Sequence, residues 1–154
     1  MSTPTTAASL TDKNLEAALA TVHAEIGRTD GKASLLLAFN GAVLAGLASL
    51  TGAPLPMPTR VLGGMAVAAI VLATVLLLLV VRPRLGGQDR ASFPYWARLA
   101  ETQIHACMHG DTRAARIRVL SRIAVAKFAR LRRAVDCTLT ALALLALAAV
   151  GAVF

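Results

Sequence analysis

The sequence is short of the residues on which most enzymatic chemistry depends. It has two cysteines, Cys107 and Cys137, which make no disulfide framework. One lies in a basic central segment and the other where the last apolar run begins; this fits a reducing compartment, with each thiol acting as a small buried hydrophobe. Paired carboxylates, a nucleophile with its base and a zinc motif are missing at usable spacing, which argues against an enzyme. There is no Gly-rich phosphate loop, and the polar segments show helical rather than strand periodicity, which excludes a separate β-barrel domain. Zinc-finger, RNA-binding and helix-turn-helix patterns are also lacking, so nucleic acid is a weak partner despite the basic charge. Residues 1–9 hold no basic group and no apolar run starts before Ala33, so a signal peptide is not expected and the first span doubles as the targeting element.

What the chain does have is apolar sequence in blocks. It is 56% hydrophobic and 16% charged, with mean hydropathy +0.66, well above an ordinary soluble domain. The net charge of +8 is local: twelve of the sixteen Lys and Arg residues fall between Arg82 and Arg133, against three acids, Asp89, Glu101 and Asp111. A basic segment flanked by bilayer-length apolar runs meets anionic lipid headgroups, at about 1 kcal/mol per cation close to the surface.

In chain order, residues 1–9 are rich in Thr, Ala and Ser and read as disordered. A helix is expected from about Leu10 with Thr11 as N-cap, and Leu15, Leu19, Val22 and Ile26 form a narrow apolar seam. His23 has no second ligand at helical spacing. Gly27 and Gly31 suggest a bend at the membrane surface. Residues 33–50 are the first span, eighteen residues without charge and about 27 Å long as a helix. Within it Asn40 needs a polar partner on another span or on another copy, and Ala38, Ala42 and Gly46 recur every four residues, which allows close helix approach. Residues 51–60, with Gly52, Pro54, Pro56 and Pro58, form a short external hairpin. Residues 61–81 make the second span, stopped by Arg82, Pro83 and Arg84.

The central segment divides at Gly110-Asp111. Ser92 and Pro94 mark a helix start, after which Trp96, Leu99, Ala100, Ile104 and Cys107 share one face and Arg98, Glu101, His105 and His109 the other. His105 and His109 have metal spacing, yet no third ligand completes a set, so a solvated face is the better account. Asp111 or Thr112 then caps a long helix with an apolar stripe of Ile117, Leu120, Ala124, Phe128, Leu131 and Val135. Arg116, Arg118, Arg122, Lys127, Arg130 and Arg133 fill its remainder. This helix runs on into the third span, residues 135–154.

The expectation is thus an all-α, multi-pass helical membrane protein with three transmembrane helices and a basic helical cytoplasmic segment. Its parts are an N-terminal tail and helix (1–32), a first span (33–50), an external loop (51–60), a second span (61–81), the basic segment (82–134) and a third span (135–154). The one cation of the external loop against twelve in the middle segment sets the N-terminus in the cytoplasm and the C-terminus outside.

Three stretches carry a resemblance. The junction Asp30-Gly31-Lys32-Ala33-Ser34 with Leu35-Leu36-Leu37 and Asn40-Gly41, the segment from Phe93 to Ala97, and the run from Val125 to Ala134 together resemble the transmembrane effectors of Pycsar antiphage systems. The resemblance implies a partner pyrimidine cyclase that makes cCMP or cUMP during phage infection. It further implies an effector that answers by impairing the inner membrane, so that the infected cell dies first. Asp30, Lys32, Asn40, Lys127 and Arg130 are its signature positions, with no contact to ligand assigned. A cyclic mononucleotide needs a cation for its phosphate and a flat slot for its base. Lys127, Arg130, Arg122 and Arg98 offer charge, and Trp96 and Phe128, with Phe93 and Tyr95, offer rings. No metal or cofactor is implied. Any pocket must lie between helices or between subunits, and leakage through three spans needs several copies, hence a homo-oligomer in the lipid bilayer. The alternative is a structural or regulatory membrane subunit that binds a partner protein through the basic segment. A transporter component is disfavoured because inverted repeats are absent.

Overall fold

The computed structural model describes residues 4–50, 52, 54–82, 93–108 and 110–153. Five helices follow in order: α1 (Pro4–Ala48), α2 (Met57–Val81), α3 (Phe93–Trp96), α4 (Glu101–Met108) and α5 (Arg113–Val153), with no strand among the described residues. Three helices, α1, α2 and α5, are long and apolar enough to cross a membrane. The multi-pass all-α architecture expected from hydropathy is therefore present.

The chain forms two compact units, Met1–Arg28 with Pro83–Ala126 and Thr29–Arg82 with Lys127–Phe154, and α1 and α5 contribute to both. The second unit is a three-helix bundle. At one level Ala33 of α1 packs with Leu77 and Val80 of α2 and with Leu131 and Ala134 of α5. At the next, Val43, Leu44 and Leu47 meet Ala66 and Ile70 of α2 and Ala141, Leu144 and Leu145 of α5. Numbers rise along α1 and α5 while they fall along α2, so α1 and α5 are parallel and α2 is antiparallel. Residues 29, 82 and 127 consequently share one end. Lipid tails are as apolar as Leu, so burial alone does not join such helices; alanines at 33, 66, 73, 134 and 141, all fully buried, let the backbones approach and gain packing instead.

The expected small-residue stripe is not used in this packing. Ala38, Ala42 and Gly46 are exposed, and the packed face of α1 is Ala33, Leu36, Leu37, Asn40, Val43, Leu44 and Leu47. The buried amide at Asn40 decides the rotation of the helix, because turning Ala38 inward would leave that amide facing lipid. α1 ends as the Ser49 hydroxyl donates to the Gly46 carbonyl at 2.7 Å, and Gly52 follows with φ of 103°, a conformation open to glycine. The connection is shorter than the sequence suggested. Pro58, Thr59 and Arg60 stand in the first turn of α2, where proline's missing N–H costs no hydrogen bond. Val81 ends α2 as expected; Pro83 and Arg84 lie outside the described residues.

In the first unit the helix of α1 begins at Pro4, not near Leu10, and Thr11 is interior rather than a cap. Pro4 suits a first helical position, and no Gly or Pro interrupts the chain until Gly27, so nothing stops the helix from extending back. Gly27 and Gly31 lie within the same uninterrupted helix. Leu15, Leu19, Val22 and Ile26 are all half-buried, as a seam requires. The single helix expected after Ser92 is two short ones; Ser92 itself and His109 lie outside the described residues. Between them Arg98 N–H donates to the Tyr95 carbonyl and Leu99 N–H to that of Trp96, and the Gln103 side chain then accepts from Ala100 N–H at 3.1 Å, half of a capping box that starts α4 afresh. Trp96 and Ile104 thus belong to different helices. The start of α5 is as read: the Asp111 carboxylate accepts the Arg113 N–H at 3.0 Å, and α5 continues unbroken to Val153.

Candidate functional site

Three of the five signature residues, Asp30, Asn40 and Lys127, meet partners on the α1–α5 contact of the second unit. At the end shared by residues 29, 82 and 127, the Lys127 ammonium donates to both carboxylate oxygens of Asp30, at 2.6 and 2.8 Å. The lysine side chain is 15% exposed and the aspartate 37%, so the pair is partly shielded from solvent. Farther along the same contact, Asn40 is fully buried and its amide donates to the Thr138 hydroxyl at 3.4 Å, which donates in turn to the Ala134 carbonyl at 3.0 Å. The need of Asn40 for a polar partner on another span is met by Thr138.

The two polar contacts are separated in sequence by 97 and 98 residues, which fixes the register of two parallel helices. Sliding α5 by one turn would break both. Three of the signature positions, Asp30, Lys127 and Asn40, therefore have a structural task in this fold. Thr138 was not singled out from the sequence. Its signal was faint: a hydroxyl in a span usually returns to its own helix, as this one also does.

Lys127 stands where the expected stripe placed Phe128. Ala124, Leu131 and Ala134 are buried with Lys127 on their side, whereas Phe128 is 41% exposed and Val135 half-buried. The aspartate on α1 draws the lysine inward and turns the ring out. Arg130, three residues on from Lys127, is half-buried and makes no ion pair among the described residues; Lys32 is exposed. Cys137 is a half-buried free thiol.

The other predicted ligand residues, Trp96, Arg98 and Arg122, belong to the first unit, so the six do not fall within one unit. There the Arg116 guanidinium lies 5.7 Å from the centre of the half-buried Trp96 ring, a cation–π contact, while Arg98 and Arg122 are exposed. Arg113 pairs with Asp111 and Asp12 and reaches Glu16 at 3.7 Å. These hydrogen bonds hold the Asp111 carboxyl below its ordinary value and raise the Arg113 guanidinium above its own. Arg113 and Arg116 escaped the sequence reading because nothing in a dense run of arginines marks which of them find partners. No group of three potential metal ligands occurs among the described residues; the side chains of Phe93, His105 and Cys107 lie outside them.

At the far end of the second unit a cleft of about 500 Å³ is lined by Leu47, Leu50, Gly52, Leu55, Thr59, Arg60, Gly63 and Val67. Its lone cation, Arg60, is remote from the signature pair.

The PycTM family, the Pycsar effector protein domain, covers residues 14–154. The chain belongs to that family. Membership supports a role in Pycsar antiphage defence and, with three apolar helices of spanning length, marks an inner-membrane protein. No curated protein and no solved structure matches the chain. In this Pycsar effector domain the matched region takes in α1 from Asn14 onward, all of α2 and α5, and both polar contacts between α1 and α5 in the second unit.

Proposed function

We propose that the chain is a non-enzymatic effector that responds to a cyclic pyrimidine mononucleotide, cCMP or cUMP, made by a partner cyclase on phage infection. Its response impairs inner-membrane integrity and ends the infection with the cell. The observation that carries this is the family match over residues 14–154. The cation distribution supports the accompanying topology. In the second unit Lys32, Arg82, Lys127, Arg130, Arg132 and Arg133 cluster towards one end of the bundle and Arg60 stands at the other, which favours a cytoplasmic N-terminus and an external C-terminus.

In the second unit Lys127 and Arg130 offer charge for the phosphate and Phe128 a face for the base; in the first, Arg98 and Arg122 offer charge and Trp96 a ring. Lys127 already holds a carboxylate, so an arriving phosphate competes with Asp30 for it. Ligand binding then favours an arrangement in which the α1–α5 contact is loosened at its basic end, and the population shifts towards it. One bundle of three helices encloses no polar conduit, so the membrane lesion is built from several copies.

The test is binding of the four common 3′,5′-cyclic mononucleotides to purified protein shown by circular dichroism to be helical, with dye release from loaded vesicles alongside. Saturable binding of one pyrimidine nucleotide and release that depends on it support the proposal. Absence of binding by well-folded protein removes the sensor and promotes a structural or regulatory subunit that docks a partner through the basic segment.

A further inference from the structure

The cleft at the Arg60 end of the second unit is used neither by the packing of the bundle nor by the proposed receptor. Its wall changes character along the axis. Thr59 and Arg60 stand in the first turns of α2, and Gly63 and Val67 follow on the same helix, with Leu47 of α1 and Leu50 just beyond it in the same wall. From Arg60 to Val67 the helix rises about 10 Å, from the edge of the uncharged run 61–81 towards its interior.

The outer end of the cleft is short of negative charge. Arg60 is exposed and makes no ion pair among the described residues. Thr59 is 6% exposed and its hydroxyl has no hydrogen-bond partner, a costly state for a group shut away from water. The first turn of α2 has neither a side-chain cap nor an acid, so the positive end of the helix dipole is also unopposed. A guanidinium, a hydroxyl and a helix N-terminus together suit a phosphate.

The inner end suits hydrocarbon. Leu47, Leu50, Leu55 and Val67 offer apolar surface, and Gly63 leaves space between them, since a Cβ at that position would meet nothing within 4 Å. A free phosphate would fill the polar end and leave the apolar end empty. A molecule with an anionic head and acyl chains matches both, and it would lie as it does in a leaflet, with its phosphate where the uncharged run begins and its chains towards the middle. The volume, about 500 Å³, is that of a site for part of such a molecule.

We propose that this cleft binds one anionic phospholipid of the adjoining leaflet, its phosphate held by Arg60, the Thr59 hydroxyl and the N-terminus of α2, and one acyl chain laid along Gly63 and Val67. The site is separate from the nucleotide reading above and does not rest on it. It joins α1 to α2 at the end of the bundle opposite the Asp30–Lys127 pair.

The experiment uses the full chain, solubilised in detergent with either phosphatidylglycerol or phosphatidylcholine, and native mass spectrometry to count the lipids and chains in each particle. Retention of one phosphatidylglycerol per chain should exceed that of phosphatidylcholine about tenfold, the worth of a charge-assisted contact. Arg60→Gln should remove that preference, and Thr59→Val, which keeps the shape and loses the hydroxyl, should lower retention about threefold. Gly63→Leu should block the chain and abolish retention, whereas Gly64→Leu, on the exposed neighbour outside the cleft, should leave it unchanged. Circular dichroism confirms that each variant is helical. Equal retention of the two lipids, or equal effects of Gly63→Leu and Gly64→Leu, overturns the site and leaves only the lipid that coats any span. Displacement of the lipid by inorganic phosphate reduces the cleft to an anion site and overturns the acyl-chain contact. A fall in the number of chains, rather than lipids, with Gly63→Leu assigns the cleft to a second copy and likewise overturns the proposal.

Discussion

In the second unit α1, α2 and α5 meet through alanines that are fully buried and through one buried and one partly shielded side-chain contact, whereas in the first unit the described ion pairs between α1 and α5 join the half-buried Arg113 to exposed carboxylates. Close packing in lipid tolerates little change in shape and ignores salt. Exposed ion pairs are forgiving of shape, weak one by one, and screened within about 10 Å at 0.1 M salt. The described side-chain ties thus differ between the units, close apolar fit in the second and ion pairs in the first, and the Asp30–Lys127 pair belongs to the second.

The comparison can be broken at four places. The largest effect is expected from Ala134→Leu: Ala134 is fully buried against Ala33, Leu77 and Val80, and overpacking there should cost about 1–3 kcal/mol in detergent-unfolding measurements. A loss no greater than that of the exposed Ala143→Leu would show that the helices are not closely fitted. Lys127→Ala should cost on the order of 1–2 kcal/mol, because it leaves a partly shielded carboxylate alone, and Asp30→Asn should cost less in its presence than without it. The pair of changes Lys127→Ala and Arg130→Ala should in addition abolish nucleotide-dependent toxicity while membrane insertion, followed by fractionation, persists. Asn40→Leu should cost about 1 kcal/mol, the usual worth of a hydrogen bond between spans, and additivity with Thr138→Val would disprove the contact.

The smallest effect belongs to the first unit. Asp111→Asn should slightly loosen the start of α5 and leave the bundle intact. Since Arg113 holds the Asp111 carboxyl below its ordinary value of 3.8, the stabilisation is complete above that value and is lost as pH falls through the lowered one. Amide exchange at Arg113–Arg116 should accelerate only in that acid range. High salt should accelerate the same amides and leave those of Ala134–Ala141 unchanged; uniform acceleration would erase the distinction between the units.

The spans, their number and the continuous α5 were legible in the sequence because hydropathy and length act along one chain and need no knowledge of neighbours. Rotation about each axis was not. Ala38, Ala42 and Gly46 looked like the contact face, yet the single amide of Asn40 outweighs three small residues once a hydroxyl is available on α5. The stripe on α5 failed at Phe128 for a similar reason: periodicity assigns the ring inward, but a carboxylate on α1 claims the inward position for Lys127. For the site, the signature residues were visible and their pairing was not, since nothing in the order of residues shows that Asp30 and Lys127, 97 apart, are level in space. The break between α3 and α4 was hidden by a local amide cap at Gln103 that mimics an ordinary helical residue.

The parallel course of α1 and α5 also bears on how the molecule could be assembled from parts. A cut in the chain between Val81 and Phe93 leaves one piece with α1 and α2 and another with α3, α4 and α5. The polar contacts between α1 and α5, Asp12–Arg113, Asp30–Lys127 and Asn40–Thr138, then join one piece to the other. Two fragments made from separate messages should recognise each other in the membrane and reconstitute the bundle, and coupling each to half of a reporter would turn the register of two helices into a signal that a cell can be screened for.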